Sequence, residues 1–135
     1  MKTKSTLTLD DVRAIAFAAE TEAHAHGWAV TIAIADDGGH LLWLQRLDGA
    51  APVSAEIASA KARTAALGRR ESKVYEDMIN QGRTSFLSAP GLQGMLEGGV
   101  PIMVDGQCVG AVGVSGVKSG EDAQTARAGI AALKP

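Results

Sequence analysis

The sequence predicts an α+β domain in which helices pack on the faces of an antiparallel sheet. Two pairs of short apolar runs are joined by the tight-turn signals Asp37-Gly38-Gly39 and Asp105-Gly106, so each pair reads as a hairpin. Runs with helical spacing stand before, between and after the hairpins, and short connections favour antiparallel neighbours. At 135 residues the chain is expected to form one domain, residues 1–135. A core of that size buries roughly two-thirds of the unfolded surface and requires no staple.

The elements follow in order. Thr8 with Asp11 three residues on is a helix N-cap signature, and it places acid in the first turn. Val12, Ile15, Ala16, Ala19 and Ala23 then recur at helical spacing until Gly27 stops the helix. From Trp28 to Asp36 the pattern alternates, with Val30, Ile32 and Ile34 on one side and Ala29, Thr31, Ala33 and Ala35 on the other. This is a strand covered on both faces, one by bulky groups and one by small groups. His40 to Leu47 returns as its hairpin partner. Pro52 and Ser54 open a helix over Ala55–Leu67, with Gly68 to close it. A short helix is expected from about Ser72 to Asn80, its apolar side being Val74, Tyr75, Met78 and Ile79. Residues 82–99 are broken by Gly82, Pro90, Gly91, Gly94, Gly98 and Gly99. Val100–Val104 and Gln107–Val114 make the second hairpin, and a last helix runs over Glu121–Leu133.

Composition excludes several classes. Hydrophobic residues at 46% and charged ones at 21% describe a globular chain. Thirteen Lys and Arg against fifteen Asp and Glu argue against a nucleic-acid partner. No apolar run approaches the roughly 20 residues of a membrane span, and the first residues do not read as a secretory signal, so no membrane association and a cytoplasmic location are expected. The single cysteine, Cys108, rules out an internal disulfide and cysteine-held metal clusters; it reads as a small core residue. Sixteen glycines and only 4% aromatics imply a core of small, closely packed side chains. Gly110, Gly113 and Gly116 lie within a strand at the wrong spacing for a dinucleotide fingerprint, and read as a bulged, closely approached strand. Gly113-Val114-Ser115-Gly116 is not a nucleophile elbow, and no histidine follows His40 to complete a hydrolase triad.

A few residues carry chemistry. His24 and His26, two apart near the end of the first helix, project about 200° from one another and cannot share a metal from a regular helix. His40, after a glycine pair, can point into a cleft mouth. It is the first candidate metal ligand, with His24 and His26 as alternatives. Lys61, Arg63, Arg69, Arg70 and Lys73 read as a solvated, dipole-matched helix end. Lys61 differs, because Ala58, Ala60, Ala62 and Ala65 surround it and a cation there needs an anionic partner if buried. Arg46 raises the same question, and Asp36 or Glu97 could answer it. The amides of Gly98 and Gly99 could face an anion as a nest. A pocket is therefore expected between the second strand, the Ala55–Leu67 helix and residues 97–101, with Lys61, Arg46 and the glycine-pair amides converging on it.

The segments Ala-Ile-Ala-Asp-Asp-Gly-Gly-His-Leu-Leu (33–42), Lys-Ala-Arg-Thr-Ala-Ala-Leu-Gly-Arg-Arg-Glu (61–71), Glu-Gly-Gly-Val-Pro-Ile (97–102) and Gly-Ala-Val-Gly-Val-Ser-Gly (110–116) closely resemble the GlcG/HbpS-like family, in the same order and over nearly the whole chain. The resemblance implies a GlcG-like, profilin-like fold: a five-stranded antiparallel sheet with helices packed on its faces, the fifth strand arising from residues 83–97. It also implies a homo-oligomer, which the abundance of Ala and Gly on sheet-covering elements supports independently. For function it implies haem or tetrapyrrole binding through a protein histidine, with basic residues at the propionates, in a protein accessory to glycolate utilisation. A second reading is a small-carboxylate-binding protein or enzyme, in which Arg46 and Lys61 clamp the acid, Glu97 or Asp36 moves a proton, and the Gly98 and Gly99 amides steady an enolate. A third is a structural partner of operon enzymes.

Overall fold

The computed structural model describes residues 1–135. The elements are α1 (Leu9–His26), β1 (Thr31–Asp36), β2 (Leu41–Arg46), α2 (Val53–Gly68), α3 (Ser72–Asn80), β3 (Gly99–Val104), β4 (Gln107–Ser115) and α4 (Ser119–Ile130), with a 3-10 turn at Thr84–Ser88. The sheet has four strands in the order β2-β1-β4-β3, each pair antiparallel. A fifth strand is not formed. Residues 83–97 instead hold the 3-10 turn and a loop in which Gly91 and Gly94 take positive φ. Thr64 donates its hydroxyl to the Gln93 carbonyl, and Ser72 donates its own to that of Leu96. Those bonds dock the segment on α2 and α3, and it joins no strand of the sheet.

Three layers result. On one face of the sheet, Val12, Ile15, Ala16, Ala19 and Ala23 of α1 pack with Ile32, Ile34, Ile102, Val112 and Val114. Ala126 of α4 joins them. Each branched side chain buried there contributes about 1.5–3 kcal/mol. On the other face, Ala58 and Ala62 of α2 meet Ala33 and Ala35, while Ala65 and Ala66 meet Ala111. The bulky and small faces read from the alternation of β1 are thus real. They are covered by different helices.

The small face lets α2 press its backbone onto the sheet. A Cβ on Gly113 would overlap the Ala58 carbonyl and the Ala62 amide, and one on Gly99 would overlap the Lys61 carbonyl. A Cβ on Gly110 would strike Leu7 and the Ala35 carbonyl on the opposite side. The glycines of β4 therefore mark close approach, and the β3–β4 register shifts at Ile102/Met103 as a bulged strand should.

Helix α1 begins as its sequence requires. Thr8 accepts from the Asp11 N–H, Asp11 accepts from the Thr8 N–H, and Gly27 ends the helix at φ 70°. Helix α2 departs from expectation at its end. It runs through Gly68, and the left-handed residue is Arg69 at φ 56°. Gly68 is required for a different reason: the Tyr75 ring occupies the space a side chain there would need. Nor does His40 start the second strand; it stays in the turn, its N–H donating to Asp36 Oδ1 at 2.9 Å.

Gly113→Ala is expected to lower stability by about 2 kcal/mol or more, because neither α2 nor β4 can yield backbone room. Gly120→Ala, where a Cβ meets nothing within 4 Å, is expected to be neutral or to stabilise by up to about 1 kcal/mol. Urea midpoints of the two variants measure the contrast, and a Gly113→Ala midpoint equal to the parent's would refute the close-approach account.

Candidate functional site

Lys61 projects from α2 toward the sheet and is 3% exposed. Its ammonium donates to the Val114 carbonyl at 2.9 Å and to Asp122 Oδ2 at 3.2 Å. Asp122, in the first turn of α4, is 2% exposed and accepts from the Val117 N–H at 3.2 Å through its other oxygen. Burial holds the Asp122 carboxyl above its ordinary value, desolvation outweighing the attraction of Lys61 and the Val117 hydrogen bond. The partner of Lys61 is thus neither Glu97 nor Asp36. An acid in the opening turn of the last helix, followed by apolar Ala123 and Ala126, was the signal available for it.

The Gly98 and Gly99 amides do not form an anion nest with Lys61. Gly99 donates its N–H to Ser72 Oγ at 2.8 Å. At Gly98, with φ 132°, a Cβ would lie 2.7 Å from Lys61 Nζ. The pair is needed because the lysine and the α2 backbone cross it. Glu97 is half-buried, its N–H donating to Glu76. Asp36 closes the β1–β2 turn, accepting from the N–H groups of Gly38 and His40 at 2.9 Å each and lying 3.3 Å from His40 Nδ1. The expected convergence of Lys61, Arg46 and the glycine amides does not occur. A groove does lie between β2 and α2, but Gly91 and Gln93 form its third wall and neither Lys61 nor Arg46 lines it.

Arg46 lines a different concavity, together with His24. This cleft, of about 520 Å³, is bounded by Glu20, His24, Gly27 and Trp28 at the end of α1 and by Gln45, Arg46, Leu47 and Asp48 at the end of β2. A side-chain relay stiffens one wall: Trp43 Nε1 donates to Gln45 Oε1 at 3.1 Å, and Gln45 Nε2 donates to Glu20 Oε1 at 3.0 Å. Glu20 and His24 are four residues apart and share one side of α1, as helical geometry demands. His26 faces elsewhere. Its ring stacks on Trp28 with centroids 4.4 Å apart and lies 3.4 Å from Glu22. His40 is engaged with Asp36 at the hairpin tip. Of the three histidines only His24 has neither a hydrogen-bond nor an ion-pair partner, since His26 meets Glu22 and Gln124 and His40 meets Asp36, and Arg46 has no ion-pair partner. An imidazole and a guanidinium set in one open cleft can together hold a metal-centred anionic group.

A family model described as haem-degrading protein HbpS-like matches residues 7–131. The chain is 59% identical to Protein GlcG of Escherichia coli (strain K12) over 115 residues, 85% of either chain. A crystal structure of a double mutant of Streptomyces reticuli HbpS superposes with a TM-score of 0.89 at 33% identity, covering 100% of this chain and 92% of that one. A crystal structure of a PduOC–haem complex superposes equally well, TM-score 0.89, at 26% identity and 96% coverage of both chains.

Asp122→Asn is expected to destabilise by about 3–5 kcal/mol, since it leaves the Lys61 ammonium buried without its counter-charge. The joint change Lys61→Met with Asp122→Leu is expected to restore most of that loss. Denaturant unfolding of these variants together with the single changes Lys61→Met and Asp122→Leu closes a double-mutant cycle, and additive losses within it would show that the two groups do not interact.

Proposed function

The chain belongs to the HbpS-like family of haem-degrading proteins, and on that premise we propose that it binds haem or a related tetrapyrrole in the cleft between α1 and β2. The observation that carries this reading is the presence of His24 and Arg46 on facing walls of one cleft. The donor set suits the group: an uncommitted imidazole for iron, an unpaired guanidinium for a propionate, and the Trp28 ring as an apolar surface beside them. The PduOC neighbour, solved as a haem complex, lends support. When bound, the group would supply an iron centre, with His24 and Arg46 the residues to hold it and the hydrogen bonds and exposure around it tuning its potential. The chain's own part is to orient it. His24 is fixed by the last turns of α1, and the Trp43–Gln45–Glu20 relay holds the facing strand end in register with that helix.

The reading includes assembly. Trp28 is the one aromatic residue lining the cleft, so a second copy is the natural source of further apolar cover. Phe17, Leu42, Leu87 and Met103 are exposed, and β2 and β3 are unpaired sheet edges. A homo-oligomer covers such surfaces. No helix is long and apolar enough to cross a membrane. A cytoplasmic role accessory to glycolate utilisation, which the sequence resemblance implies, belongs to the same proposal.

Haemin titration followed in the Soret region is expected to give a saturable shift, with His24→Ala weakening binding about tenfold or more and Arg46→Gln several-fold. His26→Ala and His40→Ala are expected to titrate like the parent. An unchanged spectrum and affinity in His24→Ala would overturn the assignment. Light scattering returning only a species of 13.9 kDa, the chain mass, at micromolar concentration would overturn the oligomer.

A further inference from the structure

The groove between β2 and α2 has no part in the tetrapyrrole reading. It lies on the other side of β2 from the His24 cleft, with a volume of about 570 Å³. Leu41, Leu44, Ala55 and Ala60 give it apolar walls. Leu41 and Leu44 remain 48% and 47% exposed, although β1 beside them is buried. Arg63 stands at the end near the β1–β2 turn. Gly39, at φ 80°, leaves room for it: a Cβ there would come 3.0 Å from Arg63 Cγ and 3.2 Å from its Nη1. The arginine, though exposed, therefore runs along the turn backbone at the end of the groove. Arg13 and Arg127 have carboxylate partners in Asp10 and Glu71, but Arg63 has none within ion-pair distance. Asp36, in the adjoining turn, already accepts from two backbone N–H groups and lies against His40. The other charged group in the groove is Glu56, two turns back along α2 and about 10 Å away by helical rise.

We propose that this groove binds a monocarboxylate with an extended apolar body, its carboxylate on Arg63 and its body along Leu41, Leu44 and Ala60. A guanidinium takes a carboxylate through two parallel N–H···O bonds, which fixes direction as well as affinity. Glu56 repels the carboxylate from the far end, so the groove admits the ligand in one orientation. The volume is that of an ordinary small-molecule site. A small hydroxy acid would leave the leucines uncovered; a chain of six to eight carbons covers them.

Isothermal titration of the full chain with octanoate, and with 1-octanol as the uncharged probe, tests this. Octanoate is expected to bind about tenfold tighter than octanol, with Arg63→Gln abolishing the difference and Leu44→Ser weakening both. Arg63→Gln is expected to leave the haemin titration unchanged and His24→Ala to leave octanoate binding unchanged, so either assignment can fail alone. Circular dichroism melts of the variants confirm that each is folded. Equal affinity for the two probes, an unaltered Arg63→Gln, or no octanoate binding at millimolar concentration would overturn the proposal. So would a groove closed by a second copy, seen as failure of the parent to bind octanoate together with dissociation of the assembly by Leu44→Asp.

Discussion

The near-contact of the α2 backbone with the sheet is the constraint on which the rest of the molecule depends. A helix normally stands off a sheet by the depth of the side chains between them. Here Gly113 and Gly99 have no side chain, and Ala58, Ala62, Ala33, Ala35 and Ala111 contribute only methyls. Each methyl buries little area, so the layer is held by many short dispersion contacts, which vanish quickly if the gap opens. The opposite face works by the usual rule, with isoleucines and valines burying large areas under α1 and α4. One sheet is thus gripped in two physically different ways.

That approach explains the buried charge. A lysine on the sheet-facing side of so close a helix has no path to solvent, and its side chain runs over Gly98 to reach the carboxylate of α4. The resulting pair ties α2, the end of β4 and the start of α4 together through one ammonium. No buried side-chain nitrogen or oxygen is left without a partner. A pair so enclosed serves the fold's geometry, and neither the cleft beside α1 nor the groove beside α2 reaches it. Two open concavities with charged walls lie instead on either side of β2.

The edge strand β2 separates those two concavities. On its α1 side Arg46 and the last turns of the first helix form a polar cleft, while on its α2 side Leu41 and Leu44 face the alanines and Arg63. Ala-for-bulk substitution on the α2 side makes room for the groove, just as it makes room for the helix. The two concavities share a strand but no residue, and their walls differ in chemistry: an imidazole and a guanidinium in one, an apolar trough ending in a guanidinium in the other.

Local rules made much of this legible. Capping at Thr8 and Asp11, the two hairpin turns, the bulky and small faces of β1, the α3 boundaries and the family follow from patterns a few residues long. The opposed directions of His24 and His26 follow from helical geometry alone. The isolation of Lys61 among alanines was legible too, as was its need for an anion. Which anion was not. Asp122 lies 61 positions away, and only the docking of α4 beside the end of β4 brings it near. The same holds for Gly68 and Gly98, whose lack of side chains reads locally as helix-stopping or anion-binding but answers to Tyr75 and Lys61 across the fold. The fate of residues 83–97 was decided by hydrogen bonds to Thr64 and Ser72, not by their own pattern. Sequence periodicity reports which side of an element is apolar; which partner meets that side depends on how whole layers pack, and that information is carried by no single segment.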